Sequence, residues 1–302
     1  HHADAAERFA TECKNALKAV SHDWPAADRI ALEADLAALP HDAGAGVIVF
    51  RSSTGVTHVE FVDDPLTPAV FEGAFPRLAP LIESRQRTIA HVVVDADKAG
   101  AAISAFDGGD FDASELVEGD TEHIHRGHPG GWSQRRFQQR AENTWEENAD
   151  DVSTAARDLA ERVDARLVVI AGPPRARSMV FEALDERVNN DEFALEAIEA
   201  GAVDGIVDAV TRLTAGIAAS DAVAAIERAA SSMATTDDFD GDVLAALDAG
   251  RVETLLVHDD GAAGSDRLVD RCIDRALATG ADITVVPNVA LLKDGVAAVL
   301  RW

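Results

Sequence analysis

Apolar residues return every three or four positions from the start of the chain: Phe9, Cys13, Leu17 and Val20, then Ile30, Leu32, Leu36 and Leu39. That spacing predicts two helices over residues 3–39. His22-Asp23-Trp24-Pro25 parts them, with Pro25 placed to open the second. The period then shortens to that of a strand. Gly46–Arg51 (GVIVFR) and Val56–Val62 (VTHVEFV) predict a hairpin turning at Ser52–Gly55. Four of the ten prolines, Pro65, Pro68, Pro76 and Pro80, follow between residues 63 and 80. This density excludes a continuous helix or a central strand and marks a boundary.

Past the boundary, Ile89–Asp95 and Ala101–Phe106 predict a hairpin across Ala96–Gly100, and Phe111–Glu118 a third strand. Ser133–Arg162 predicts one long helix, Arg166–Ala171 a buried strand and Arg175–Arg187 another helix. The order β-β-β-α-β-α opens a ribonuclease-H-like layout, in which three antiparallel strands precede a right-handed crossover to a parallel one. On the long helix Phe137, Ala141, Trp145, Ala149, Val152, Ala156, Leu159 and Val163 form one stripe that should pack on the sheet. Arg136, Arg140 and Asn143 fall on a different face at i, i+4 and i+7.

Residues 191–250 read as mostly helical, Val252–Val257 as a strand, Asp266–Thr279 as a helix, and Asp282–Val286 and Gly295–Arg301 as strands. Alternation of this kind suggests an α/β/α sandwich. The expected fold is α/β in three units: an N-terminal α/β domain at 1–78, a ribonuclease-H-like central domain at 79–188, and a C-terminal α/β/α domain at 189–302. No solenoid repeat is apparent.

Composition changes how any charge is read. The formal charge is −27, with 54 acidic and 27 basic residues, no Tyr, and only four lysines among the basic ones. This balance resembles proteins adapted to molar intracellular salt, where most carboxylates are solvated surface charge. A local patch without acids is then a better guide to a nucleic-acid partner than the total charge. Cys13 and Cys272 stand far apart with no CxxC pattern and read as buried or incidental thiols in a reducing cytosol. No apolar run is read as approaching the roughly 20 residues that span a bilayer, and no signal peptide opens the chain. A cytoplasmic protein without a membrane partner is expected. The start, His1-His2 without Met, reads as a truncated product or tag remnant, with an N-terminal strand missing before it.

Against this acidic background, His123–Ala141 (HIHRGHPGGWSQRRFQQRA) stands out. It holds four arginines, three histidines and no carboxylate. Gly130-Gly131 sits where a loop runs into the long helix, and glycine there opens backbone angles closed to other residues. Arginine forks and the N–H groups of a first helical turn both suit phosphate. His125, Arg126 and His128 are placed to contact phosphate or ribose, and Ser133, Arg135, Arg136 and Arg140 continue the patch.

Other chemistry has weaker support. Asp95, Asp97, Asp107 and Asp110 could be read as the carboxylates of a two-metal nuclease, but they fall at strand ends in a chain rich in acids. His123, His125 and His128 form an HxHxxH array whose single near neighbour for a fourth zinc ligand is Glu122, so no metal site is expected. Gly172-Pro173-Pro174-Arg175-Ala176-Arg177 follows a strand and opens a helix without a Walker lysine. It reads as a stiff turn, with Arg175 and Arg177 extending an RNA-facing surface, and no cofactor is expected.

These features together resemble the archaeal and eukaryotic class I release-factor superfamily, most nearly its bacterial-type branch, which includes ribosome hibernation factors and is related to release-factor-like peptidyl-tRNA hydrolases. In that family a Gly-Gly-Gln loop followed by Ser and Arg-Phe leads into a long basic helix. The corresponding run here is Gly130-Gly131-Trp132-Ser133-Gln134-Arg135-Arg136-Phe137, then Arg140 and Asn143. Gly250–Leu256, Thr279-Gly280-Ala281 and Gly295–Arg301 resemble the family's third domain, which is related to a kink-turn-binding ribosomal protein. The resemblance covers residues 80–302 and implies the ribosome, rRNA and tRNA as partners, with a translational GTPase or a stalk-base protein at the third domain, and no DNA.

The first domain carries no stop-codon-reading motif. Trp132 stands where the family has its hydrolytic glutamine, and the nearest glutamine is Gln134. The resemblance therefore implies ribosome rescue or hibernation at the A site ahead of termination. Peptidyl-tRNA hydrolysis is the alternative, with Gln134 ordering the water on the Gly130-Gly131-Trp132 loop and Arg135 or Arg136 holding the tRNA end. A metal-dependent RNA nuclease or a ribosome-independent RNA-binding module is a further alternative.

Overall fold

The computed structural model describes residues 2–19, 25–40, 45–62, 66–97, 100–108, 110–118, 132–186, 193–199, 203–235, 242–261 and 267–301. At 2–8, 19, 110–111, 132–143, 145 and 232–235 it describes the backbone alone. By packing, the chain divides into two compact units, one of His1–Gln86 with Ala222–Trp302 and the other of Arg87–Asp221.

The first helices and hairpin of the chain are α1 (His2–Ala19), α2 (Ala26–Ala37), β1 (Gly46–Ser52) and β2 (Gly55–Val62), and α3 (Ala79–Arg87) follows the irregular residues 66–78. The central unit then holds β3 (His91–Ala96), β4 (Gly100–Asp107), β5 (Asp110–Glu118), α4 (Trp132–Arg162), β6 (Leu167–Ala171), α5 (Pro174–Asp185), β7 (Ala194–Ala197) and the first half of α6 (Val203–Thr235). Its sheet has the order β5-β4-β3-β6-β7. β3, β4 and β5 are antiparallel neighbours, whereas β6 runs parallel to β3 and β7 parallel to β6. On one face Val92, Val94, Ile103, Ala105, Val168 and Ile170 meet Ala149, Val152, Ala156 and Leu159 of α4 and Val180 and Leu184 of α5. On the other, Leu167, Val169 and Ala171 lie under Ile206, Ala209, Val210, Leu213 and Ile217 of α6. Both faces of β6 are covered, which is why its sequence LVVIA is apolar without alternation.

The α4 stripe expected from sequence is buried at Ala149, Val152, Ala156, Leu159 and Val163. Its members Phe137, Ala141 and Trp145 have side chains outside the described residues. After β6 the chain reverses into α5 through Gly172, whose φ is +122°, and a Cβ there would stand 2.1 Å from the Ala96 carbonyl oxygen. Only glycine lets the end of β6 pass so close to the end of β3.

β7 differs from the expectation of helix across 191–250. Ala194-Leu195-Glu196-Ala197 has helix-favouring residues, yet it pairs in register with Leu167–Ile170. Closing the open side of β6 outweighs local propensity.

In the other unit, β1 and β2 pair in antiparallel register as expected. The proline-rich stretch gives no hint of α3; Pro80 sits in its first turn, where a missing N–H costs nothing. The second half of α6, α7 (Val243–Asp248), β8 (Val252–Val257), α8 (Leu268–Thr279), β9 (Asp282–Val285) and β10 (Val296–Leu300) complete the unit.

Its sheet order is β10-β8-β9, with β9 parallel and β10 antiparallel to β8. Alternation along the strands assigns the two faces. Leu255, Val257, Val296, Ala298 and Leu300 meet Leu247 of α7, Cys272, Ile273 and Ala276 of α8, and Ala79 of α3. Leu256, Ala297 and Val299 meet Ala222, Ala225 and Ala229 of α6. The edge of β9 is closed by a side chain: Gln86 donates through Nε2 to the Val285 carbonyl at 3.1 Å and accepts the Val285 N–H at 2.9 Å. The segments expected at 1–78, 79–188 and 189–302 are thus joined differently by packing. α3 packs beneath the C-terminal sheet, and β7 with the first half of α6 completes the central one.

Contrary to the sequence reading of membrane-length runs, Val203–Ser231 of α6 is long and apolar enough, by length and composition, to cross a membrane, with a mean hydropathy of 1.3. Much of that apolarity is alanine, and the span also holds Asp204, Asp208, Arg212, Asp221, Glu227 and Arg228. Ala209 is buried on the central sheet, and Ala222, Ala225 and Ala229 on the C-terminal one.

Candidate nucleic-acid interface

β5 is an edge strand that ends at Glu118, and α4 begins at Trp132. His123, His125, Arg126, His128, Gly130 and Gly131, named from the sequence, lie between them and outside the described residues. Trp132, Ser133, Gln134, Arg135, Arg136 and Arg140 form the opening turns of α4, with their side chains outside the described residues. The helix is 31 residues long and carries no acidic residue in its first turn. The positive end of a helix dipole favours carboxylates and disfavours arginines, so an acidic chain that places Arg135 and Arg136 there forgoes local stability. A bound anion would reverse that sign.

The remainder of α4 is well buried. Beyond Asn143, α4 is anchored by the apolar stripe and by the buried polar residues Thr144, Asn148 and Ser153. Ser153 donates to the Asp150 carbonyl at 2.8 Å. Sequence reasoning missed Thr144 and Asn148, since a polar residue on a long helix gives no sign of burial.

Beside Asn148 a shallow depression is lined by Asp97, Pro173, Arg175, Met179 and Val180, with a volume of about 40 Å³. A site for a nucleotide-sized ligand is on the order of 300 Å³ or more, so this one admits only water. Arg177, expected to extend an RNA-facing surface, instead donates to the Ile198 carbonyl at 2.8 Å and pairs with Glu199 at 3.4 Å. It ties the end of β7 to α5. Arg175 is exposed at the lip of the depression.

The four aspartates of the nuclease reading are separated by register. Asp95 pairs with Ala102 near one end of the β3–β4 hairpin, and Asp97 bonds the Gly100 carbonyl through its N–H at that same end. Asp107 and Asp110 pair with each other at the end where His91 meets Phe106. From Asp95 to His91 is four strand steps, roughly 13 Å. One metal pair cannot be held by both ends. Among the described residues no group of three or more His, Cys, Asp or Glu is arranged to hold a metal ion.

The cysteines are placed as the sequence suggests. Cys272 is wholly buried on α8, and burial pushes its thiol up to about 11. Burial, with the charge of Glu12 adding to it, also raises Cys13.

Residues 90–235 match the model of the bacterial archaeo-eukaryotic release factor family 2. This span contains the central sheet, the acid-free run and α4. Over this span the chain belongs to the bacterial-type branch of the release-factor-like superfamily. Consistent with that membership, this release-factor-like chain is 28% identical over 212 residues to peptide chain release factor subunit 1 of Aeropyrum pernix. The match covers 65% of this chain but spans about half, 54%, of that relative. Among solved structures, ribosome-bound archaeal Pelota with ABCE1 is similar at 19% identity and a TM-score of 0.45, over 72% of this chain and 62% of that one. An archaeal translation termination factor, aRF1, is similar at 19% identity and a TM-score of 0.27, over 100% of this chain and 90% of that one. Family membership rests on the sequence match, not on these structural likenesses.

Proposed function

We propose that this release-factor-like protein binds the ribosome at the A site and acts in rescue or hibernation rather than in stop-codon termination. The observation that carries the reading is the acid-free, arginine-rich run 123–141, which in a chain of charge −27 leads into α4, with its acid-free first turn, inside the family-matched span. His125, Arg126, His128, Ser133, Arg135, Arg136 and Arg140 would contact rRNA and tRNA, with Trp132 stacking on a base or ribose. The sheet order β5-β4-β3-β6-β7 supports a ribonuclease-H-like central unit, and helices on both faces of β10-β8-β9 support an α/β/α C-terminal one. The C-terminal unit would meet a translational GTPase or a stalk-base protein, in a cytoplasm of high salt.

The start of α4 at Trp132 bears on hydrolysis. Gln134 stands inside the first helical turn, so presenting its amide in place of the family's glutamine requires that turn to unwind. Binding without turnover is the better-supported mode. Co-sedimentation with ribosomes in molar KCl, with peptidyl-tRNA release followed in the same tubes, tests it. Wild type should sediment without release, and Arg135→Ala/Arg136→Ala should lose most binding. Release abolished by Gln134→Ala and retained by Trp132→Ala would replace this reading with a hydrolase. No sedimentation at any salt would remove the ribosome altogether.

A further inference from the structure

The cluster around Asp259 serves no part of the proposed interface, and its geometry is unusual for a surface connector. Between residues 66 and 78 Arg77 alone is buried. Its guanidinium grips Asp259 with a two-pronged bond, Nε to Oδ2 and Nη2 to Oδ1, both 2.9 Å. The ring of Phe71, itself nearly half exposed, lies over the guanidinium with its centroid 3.6 Å away. Asp259 follows β8 closely and also accepts from Arg267 at 2.7 Å and from the Gly261 N–H at 3.0 Å. Arg267 is the cap residue of α8, and it faces Asp270 in that helix's first turn at 3.8 Å and Asp260 at 3.0 Å.

The two arginines on Asp259 are not equivalent. Arg267 belongs to the helix that covers the C-terminal sheet, whereas Arg77 arrives on an irregular segment that runs outside any helix or strand from residue 66 to 78. When a buried ion pair opens, the usual obstacle is the charge left behind without a partner. Here that obstacle is small. With Arg77 withdrawn into water, Asp259 keeps the Arg267 guanidinium and the Gly261 N–H. The cost on the other side is small too, because Arg77 regains full hydration.

We propose that residues 66–78 are a detachable strap, latched to the C-terminal sheet by Arg77 with Phe71 as its cover, and that the latch opens while the sheet stays folded. Release would free the strap itself, while Arg85 of α3 keeps its two-pronged bond to Glu60 of β2. Because the latch is shielded from solvent, molar salt leaves it closed.

Chymotrypsin cleavage after Phe71 in the full chain reads the latch, since the protease requires the segment extended in its cleft and the latched ring denies this. Wild type, Arg77→Ala and Arg77→Lys are compared, with amide hydrogen exchange of Val252–Val257 followed in parallel. We expect cleavage at least about tenfold faster in Arg77→Ala, with Arg77→Lys between, and exchange in β8 within about twofold of wild type. Cleavage of Arg77→Ala at the wild-type rate overturns the strap. So does loss of β8 protection in step with cleavage, which would make Arg77 part of the sheet's core. Should Arg77→Ala fail to fold, Arg77→Lys decides on the same two readings.

Discussion

The two sheets are built alike and stabilised differently. Each has helices on both faces and an interior strand, β6 or β8, covered on both sides. Around β6 the cover is apolar, and arginines of that unit reach its rim: Arg162 to Asp112, Arg166 to Asp221, Arg177 to the Ile198 carbonyl. Beside β8 the chain instead draws Arg77, Asp259, Arg267 and Asp270 inward together. The central sheet is thus held by apolar cover, and in the proposed function its chemistry would fall to the run 123–141. The C-terminal sheet carries a charged junction where a connector lands. A rim pair gains little and is screened, whereas a buried hub is costly to break.

The largest effect that would separate the two sheets is removal of the hub. Asp259→Ala removes the carboxylate that Arg77 and Arg267 share, leaving Arg267 to Asp260 and Asp270, and should destabilise its unit by about 3 kcal/mol, seen as an early urea transition by exchange in β8 while β3 and β6 remain protected. Arg77→Ala should cost no more than about 0.4 kcal/mol by the same readout, because Asp259 keeps Arg267. Equal losses for the two variants would mean that Arg77 and Arg267 are equivalent partners.

Next is the glycine pair at the two strand–helix junctions. Gly172→Ala places a Cβ against the Ala96 carbonyl at a positive φ and should cost about 3 kcal/mol. Gly280, which ends α8 at φ +67°, has nothing within 4 Å of the place a Cβ would take, so Gly280→Ala should cost only about 1 kcal/mol. Thermal melts of both variants check the ratio, and a mild Gly172→Ala would show that β3 and β6 can part.

Much of this architecture is legible in the sequence. Periodicity locates α1, α2, both hairpins, α4, α5 and the β8–α8–β9 run, because each is amphipathic or apolar over its own length. The failures have one cause. β7 is a strand only because the side of β6 is open, and α3 is packed only because the C-terminal sheet lies over Ala79; neither neighbour is near in sequence. The Arg77–Asp259 bond joins residues 182 positions apart, and nothing in Pro76-Arg77-Leu78 signals it. Of the candidate site, the acid-free run and its helix are visible as composition. The structural role of Arg177 is not, since its carbonyl partner belongs to the exit of a strand that reads as helix.

A smaller contrast concerns pH. Burial alone would raise Asp259, but hydrogen bonds from Arg267 and Gly261 and the charges of Arg77 and Arg267 hold its carboxyl below the ordinary value. Burial pushes Asp270 above it, against the pull of Arg267 and Arg77. The signs are opposite. Asp259 contributes stability above the unfolded carboxylate pKa that is lost as pH falls through its lower folded value. Asp270 binds its proton more tightly when folded, so acidification toward its raised value stabilises. Asp270→Asn should therefore stabilise at pH 7 and remove the gain on mild acidification while leaving the loss at lower pH. A variant less stable than wild type at pH 7 would show that ionised Asp270 is needed by Arg267.

The smallest effect tests the rim. Arg166 bonds Asp221 through Nη2 at 2.9 Å, and both side chains are close to half exposed. The pair raises the arginine's pKa chiefly through hydrogen bonding to that carboxylate, but exposure leaves it open to counterions. Arg166→Ala should cost no more than about 0.5 kcal/mol in dilute buffer and nothing measurable in about 2 M KCl, where the Debye length is under about 3 Å. In the same salt series the Asp259→Ala penalty should hold, since its partners are shielded. A rim penalty that persists in high salt would mean that Arg166 is retained for packing along β6 and α6, not for charge, and the contrast between the sheets would then rest on the buried cluster alone.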